Sequence, residues 1–184
     1  MSSLYATALS ELKGVFDQLN EADVEIALDM IVHARTTVVF GGGRERLQIM
    51  GFAMRMHHLG MKVAVEGEMT TPPVGKGDLF LVTVGPGEIS TALALLDVAR
   101  RAGASILVLT AQPKGRAAAD ADFVLTIPAQ TMADDHGEKT SSVLPMGSLY
   151  EGALFVLFEV MVLKLRERLR ISPEAMRLNH TNLE

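Results

Sequence analysis

The spacing of apolar residues changes along the chain. They recur at helical spacing over residues 4–19 and again over 21–33, with Asn20 as a cap between them, which predicts two opening helices. Short apolar runs bounded by glycine then alternate with longer segments of helical spacing. The predicted strands are Thr37–Phe40, Val63–Val65, Leu79–Val84, Ile106–Thr110 and Phe123–Ile127, and the helices between them are Arg44–Leu59 and Ile89–Ala102.

This alternation indicates the fold class. Apolar strands that are separated by helices are typical of a parallel sheet that is covered on both faces. The pattern therefore predicts an α/β fold with a doubly wound sheet, whose ligand lies at the carboxyl ends of the strands. Two glycine loops follow such strand ends, Gly41-Gly42-Gly43 and Gly85-Pro86-Gly87. Because each loop precedes a predicted helix, we expect both to line one cleft that binds an anion or a polar sugar.

The chain is organised differently after the last predicted strand. Residues 129–146 are polar and exceed the roughly 12 to 15 residues usual for a connection without regular structure, which indicates a lid or an interface loop. A long apolar helix, Gly147 to Arg170, and a short helix, Pro173 to Leu178, precede a polar tail. The 184 residues and 48% hydrophobic content predict one domain. Residues 1–35 are its N-terminal helices, 36–128 its α/β core, 129–146 its loop and 147–184 its long helix and tail.

Composition and charge narrow the classes of partner. The net charge is −5 and the basic residues are scattered, so we expect no nucleic acid partner. The chain has no Cys, which excludes thiolate chemistry and fits a reducing compartment. The N-terminus has no signal-peptide pattern, and we expect a cytoplasmic protein. The most apolar stretch, Ala153–Leu165, contains Glu159 and Lys164 and is shorter than the roughly 20 residues of a membrane span, so we expect no membrane association.

Two further patterns bear on cofactors. Asp134, Asp135, His136 and Glu138 form an acidic cluster, but their spacing matches neither a zinc-protease helix nor a calcium loop, so we predict no metal. The first glycine loop lacks the G-x-G-x-x-G spacing, because Arg46 stands where the third glycine belongs. We therefore expect no nicotinamide cofactor and no other cofactor.

Five segments occur in a characteristic order along the chain. They are Ala53–Gly60, Thr70–Pro72, Lys76–Leu79, Pro145–Glu151 and His180–Glu184. In this order they resemble the sugar isomerase (SIS) domain family, and within it the 6-phospho-3-hexuloisomerases. The resemblance extends from about Val38 to the last residue.

The resemblance implies a fold, an assembly and an activity. It implies a flavodoxin-like, five-stranded parallel sheet, a tetramer with active sites between subunits, and aldose–ketose isomerisation of a phosphosugar. It also implies that Glu151 and His180 form the catalytic pair and that Arg55 lies near the substrate.

The glycine loops depart from the family pattern. The family's first loop reads Gly, small residue, Gly, Arg, Ser, and its second reads Ser-Gly-Ser-Gly-Glu-Thr. Here Glu45, Val84, Pro86 and Ile89 replace the hydroxyl residues. A carboxylate ~4 Å from a phosphate repels it by about 4 kcal/mol per unit charge at an effective dielectric constant of 20. We therefore do not expect a family-like phosphate grip, although a rebuilt anion site and a neutral sugar derivative both stay open.

The residues themselves leave alternatives for each candidate. Glu151 begins an apolar helix, so it is either a desolvated base or a carboxylate that complements the helix dipole. His180 lies in a polar tail, so it either docks into a cleft to relay protons or is solvated. Arg55 either orients substrate or forms an ion pair. The candidate substrate contacts are Gly41, Gly43, Arg44, Glu45, Arg55, Thr70, Thr71, Gly85, Gly87, Glu88, Ser90 and Thr91.

Together with these patterns, the resemblance implies a cofactor-independent aldose–ketose isomerase that works through an enediol. Its substrate is expected to be a sugar phosphate or a related sugar derivative. The chain is expected to form a homo-oligomer, with a tetramer favoured and the active site shared between subunits. The alternative is a regulatory SIS module that binds a sugar derivative without turnover.

Overall fold

The computed structural model describes residues 3–137 and 140–183. The strands of this part of the chain are β1 (Thr37–Gly41), β2 (Val63–Val65), β3 (Leu79–Thr83), β4 (Ser105–Thr110) and β5 (Phe123–Thr126). Its helices are α1 (Leu4–Gln18), α2 (Glu21–His33), α3 (Glu45–His58), α4 (Ser90–Ala102), α5 (Arg116–Ala119), α6 (Ser148–Leu169) and α7 (Pro173–Leu178).

The strands form one parallel sheet in the order β2-β1-β3-β4-β5. This order confirms the predicted doubly wound, flavodoxin-like α/β fold. The winding direction changes between β1 and β3, which are neighbours in the sheet. Their register pairs Phe40 with Val82 and Gly41 with Thr83. The two glycine loops therefore leave the same edge of the sheet, as the sequence predicted, and the structure shows that they leave it from adjacent strands.

Both faces of the sheet are buried. Along β3, Leu81 belongs to the core shared with α2, α3 and α6, whereas Phe80 and Val82 belong to the core shared with α4. This alternation follows from the period of two along a strand and explains why β3 is apolar at nearly every position. Helix α6 packs on α3, where the Phe52 and Phe158 rings stack with centroids 4.5 Å apart. The packing fixes the start of α6 relative to the first glycine loop.

The predicted elements differ from the observed ones mainly at their ends. Helices α3 and α4 begin one residue later than predicted, because Arg44 and Ile89 serve as their caps. The short helix α5 was not predicted. It spans four residues, too few for an apolar period to be visible in the sequence.

Candidate functional site

The two glycine loops and the start of α6 enclose a cavity of about 320 Å³. The first loop contributes Gly42, Gly43, Arg44 and Glu45 to its lining. The other walls come from Pro86 and Ile89 of the second loop, from Thr131 and Met132, and, at the start of α6, from Met146, Gly147, Tyr150 and Glu151. The cavity thus lies at the carboxyl edge of the sheet beside the switch point, where ligands bind in folds of this kind.

Glu151 occupies the first turn of α6 and pairs with Arg44 in the lining of this cavity. Its Oε2 lies 3.1 Å from Arg44 Nη1, and 15% of the Glu151 side chain is exposed. Arg44 also donates to Ser148 Oγ at 2.9 Å and to the Met146 carbonyl. The guanidinium therefore connects the first glycine loop to the start of α6 and holds a positive charge beside the Glu151 carboxylate.

The surroundings of Glu151 suit it to proton transfer. Burial raises the pKa of its carboxyl above the ordinary value of 4.5, and the charge of Arg44 opposes that rise. A carboxylate with a raised pKa is a stronger base, and its ionised form still predominates once the pH exceeds that pKa. Such groups occur disproportionately in active sites. Glu151 can therefore accept a proton from a bound ligand.

A second carboxylate, Glu45, also lines the cavity and is buried. Only 7% of its surface is exposed. Its Oε2 accepts a hydrogen bond of 2.6 Å from the Thr83 hydroxyl, and both of its oxygens lie 3.0 to 3.1 Å from the Gly85 N–H. The Tyr150 hydroxyl lies 3.1 Å from Thr83 Oγ1. Because Thr83 has a single hydroxyl hydrogen and directs it to Glu45, Tyr150 donates to Thr83, and the three groups form one polar chain.

Burial raises the pKa values of the two ionisable members of this polar chain, Glu45 and Tyr150. Burial is the largest influence on Glu45 and raises the pKa of its carboxyl, as does the negative charge of Glu151, whereas the Thr83 and Gly85 hydrogen bonds lower it. Burial and the charge of Glu45 raise the pKa of the Tyr150 hydroxyl well above 10.0. Tyr150 therefore stays protonated and available as a donor.

A Glu45→Gln variant is expected to gain stability relative to the wild type as the pH rises. Because folding raises the pKa of Glu45, the folded state holds the proton more tightly, and the stability that this confers is lost as pH rises through the folded-state pKa. Urea unfolding from about pH 4 to pH 8 measures the difference. Glu167→Gln, at an exposed position near the end of α6, is the control. A difference that shrinks as the pH rises contradicts the expectation.

The second predicted catalytic residue, His180, does not line the Glu151 cavity of the same chain. It lies in a separate pocket with Arg55 and His58, and the His58 and His180 ring centroids are 5.0 Å apart. Arg55 Nε lies 3.5 Å from Glu159 Oε1, so the ion-pair alternative describes the single chain. The catalytic role of His180 and the substrate contact of Arg55 stay predictions.

Other residues of the glycine loops that were predicted to contact substrate pack against, or pair with, residues of the protein. Gly41 ends β1 beside Thr83. Gly87 has a φ of +80°, and a Cβ at this position would lie 2.6 Å from Gln112 Cβ, so the loop requires glycine here for its own packing. Glu88 is exposed and pairs with Arg116 at 2.8 Å. Neither Gly87 nor Glu88 lines the cavity.

The four predicted hydroxyl contacts also lie outside the cavity lining. The Thr71 hydroxyl donates to the carbonyls of Val65 and Glu68, so it stabilises its own turn. Thr70 is exposed and lines a different pocket. Ser90 and Thr91 are exposed in the first turn of α4. Contact of these residues with a substrate stays a prediction.

The acidic segment of the long loop has protein partners. Asp134 accepts a hydrogen bond of 2.7 Å from Gln112, and Asp135 accepts one from the Met146 N–H. Over the described residues no group of three or more His, Asp or Glu side chains is placed to hold a metal ion. Glu138 of this segment, like Glu184 of the tail, lies outside the described residues. Within the same part of the chain, no helix combines the length and apolar character needed to cross a membrane.

Comparison with known proteins identifies the family. Residues 30–156 match the model of the SIS domain. The chain belongs to the SIS domain family. This match spans all five strands of the sheet, both glycine loops and the first residues of α6, so it includes the cavity described above.

Relatives of this SIS domain include named isomerases. A 3-hexulose-6-phosphate isomerase from Mycobacterium gastri is 35% identical over 167 residues, which cover 91% of this chain and 83% of the relative. Another, from Bacillus subtilis, is 29% identical over 97% of this chain and 96% of the relative. The crystal structure of a hypothetical protein from Methanococcus jannaschii, for which the same activity was inferred, superposes with a TM-score of 0.85 at 24% identity over 98% of each chain. That likeness shows the shared fold.

Sequence reasoning did not identify two polar members of this SIS-domain site, Thr83 and Tyr150. Both are buried; the Thr83 hydroxyl donates to Glu45, and the Tyr150 hydroxyl is hydrogen-bonded to Thr83. The sequence holds a weak signal for Thr83, which is the polar residue that ends the apolar strand β3 beside Gly41. Tyr150 precedes Glu151 in one of the family-like segments, but its hydroxyl contact depends on the packing of α6.

Proposed function

We propose that this SIS domain protein is a cofactor-independent isomerase that interconverts the aldose and ketose forms of a sugar phosphate or a related sugar derivative through an enediol. The observation that carries the proposal is the placement of Glu151, a carboxylate of raised pKa, beside Arg44 in the cavity between the glycine loops. The relatives named 3-hexulose-6-phosphate isomerase support the same activity.

The proposed reaction uses Glu151 as the base. The carboxylate removes a proton from the carbon next to the substrate carbonyl, and the electron pair of the broken C–H bond forms the carbon–carbon double bond of the enediol. The carbonyl oxygen takes the negative charge, which the adjacent Arg44 guanidinium stabilises. Glu151 then returns the proton to the neighbouring carbon. His180 moves the remaining proton between the two oxygens.

The proposed site is completed by a second copy of the chain. Within one chain His180 and Glu151 line different pockets, so a neighbouring subunit is the source of the His180 that acts at a given Glu151. Apolar side chains that remain exposed on α3 and α6 favour such an assembly, since large apolar surfaces are usually covered. They are Leu47, Met50, Met54, Phe155, Val156, Val160 and Leu163. We propose a homotetramer that works in the cytoplasm, where its cysteine-free composition fits a reducing environment.

Exchange of hydrogen with solvent tests the activity. The protein, dialysed without added cofactor, is incubated in D₂O with phosphorylated, sulfonated, acidic and neutral sugars, and the products are followed by NMR. We expect deuterium at the carbon next to the carbonyl together with aldose–ketose interconversion, because an enediol takes its returning proton from a base that exchanges with water. Sugar binding without exchange in any member of the panel contradicts the isomerase and supports the regulatory module.

A further inference from the structure

The second glycine loop has its first backbone donors committed inside the protein. The Gly85 N–H donates to the Glu45 carboxylate at 3.0 and 3.1 Å. Pro86 has no N–H, and the Gly87 N–H donates to the Val84 carbonyl at 2.9 Å. Three successive positions therefore offer no donor to a ligand, although a glycine loop before a helix ordinarily binds an anion through such donors.

The side chains that line the cavity beside this loop do not replace those donors. Pro86 and Ile89, which the loop contributes to the cavity, are apolar. Among the described lining residues the charged groups are Arg44, Glu45 and Glu151, and Arg44 already contacts Glu151, Ser148 and the Met146 carbonyl. Arg46 is directed away, because it donates to the Glu66 carbonyl at 2.8 Å. The loop end of the cavity thus combines a fixed carboxylate with apolar surface.

We propose that Glu45 is a specificity-determining residue. Its carboxylate accepts a hydrogen bond from the Gly85 N–H of the second glycine loop, so this donor is not open to a ligand. The substrate end that faces this loop therefore carries hydroxyl groups and no phosphate or sulfonate. This inference rests on the proposed isomerase and narrows its substrate class to sugars that are uncharged at that end. Among the described residues, only the Gly85 N–H donates to Glu45 Oε1, so this oxygen has a lone pair for a substrate hydroxyl. A hydroxyl donates to a carboxylate, whereas an ionised phosphate is repelled by it.

The first test uses inorganic phosphate as the probe and needs no turnover. Thermal unfolding of the wild type, Glu45→Ser and Glu45→Gln is measured with increasing phosphate, with potassium chloride at equal ionic strength as the reference. We expect phosphate to raise the Tm of Glu45→Ser, in which the Gly85 N–H is released, and to leave the wild type unchanged. Glu66→Gln removes a carboxylate that pairs with Arg46 outside the cavity and is the matched control. An equal response of wild type and Glu45→Ser overturns the assignment.

The second test uses matched ketoses with and without a terminal phosphate, fructose with fructose 6-phosphate and ribulose with ribulose 5-phosphate. Calorimetric affinities and solvent exchange are measured for the same variants. We expect the wild type to favour the neutral member of a pair at least tenfold, and Glu45→Ser to shift that ratio at least tenfold towards the phosphate. Preference of the wild type for the phosphorylated member, or a ratio that Glu45→Ser leaves unchanged, overturns the assignment.

The outcomes separate the two proposals. If binding follows the expected preference and no sugar exchanges hydrogen, the isomerase fails while the assignment of Glu45 stands. If phosphorylated sugars exchange hydrogen at rates that Glu45→Ser leaves unchanged, the isomerase stands while the assignment fails. Glu45→Gln guards against misfolding, because it keeps the shape of the side chain while removing its charge.

Discussion

A Glu151→Gln variant is expected to lose sugar isomerisation and solvent exchange by about 10²- to 10⁴-fold in kcat while it keeps the fold and the ligand affinity. The amide has nearly the shape of the carboxylate and can still accept a hydrogen bond from Arg44, but it cannot take a proton from carbon. The neighbouring contacts of Arg44 with Ser148 and Met146 do not involve Glu151, so the first loop stays connected to α6. NMR of deuterium incorporation and circular dichroism measure the two properties.

The pH profile provides an independent readout of the same residue. Because burial raises the pKa of Glu151, the wild-type kcat/KM should rise with pH through an apparent pKa above the ordinary 4.5. Glu151→Gln should lack this limb, whereas Glu167→Gln, a change of the same type at an exposed position of α6, should retain both the rate and the limb. Unchanged turnover in Glu151→Gln, or a wild-type profile that is flat down to about pH 4, contradicts the role of Glu151.

The sequence was sufficient to predict the sheet and the location of the cavity. Apolar runs bounded by glycine are local signals, and their alternation with helices allows few topologies, so β1 and β3 were expected to bring the two loops together. Glu45 was expected in the first of these loops because it follows Gly43, and it lies in the first turn of α3 beside the cavity. Glu151 was named from the family resemblance, and it lies in the first turn of α6, where it lines the same cavity.

The hydrogen-bond partners of these side chains could not be predicted from the sequence. The hydrogen bonds from Thr83 and Gly85 to Glu45 join residues 38 and 40 positions apart, and no spacing rule reports such pairs. The sequence also does not show when a hydroxyl is already hydrogen-bonded within the protein. Thr71 comes after β2, where a donor to a ligand could lie, but its hydroxyl donates to the carbonyls of Val65 and Glu68. A sequence therefore indicates which residues reach a site more readily than it indicates what each one binds there.

Mixing two inactive variants is expected to restore activity if sites are shared between subunits. His180→Asn alone should lower kcat by about 10²-fold or more, since it removes the proposed proton shuttle. In a tetramer reassembled from equal amounts of Glu151→Gln and His180→Asn, a site is complete when Glu151 comes from one variant and His180 from the other. Random assembly then yields about a quarter of the wild-type activity.

The structure explains why this experiment discriminates. His180 lies beside His58 and Arg55 of its own chain, in a pocket separate from the Glu151 cavity, so a site made by one chain requires the tail to leave that pocket. If the tail of the same chain supplied His180, every subunit of the mixture would lack one group and no activity would return. Unmixed variants taken through the same denaturation and refolding are the control. Full activity of His180→Asn on its own would show that the imidazole is not needed, and the enediol oxygens would then exchange protons without it.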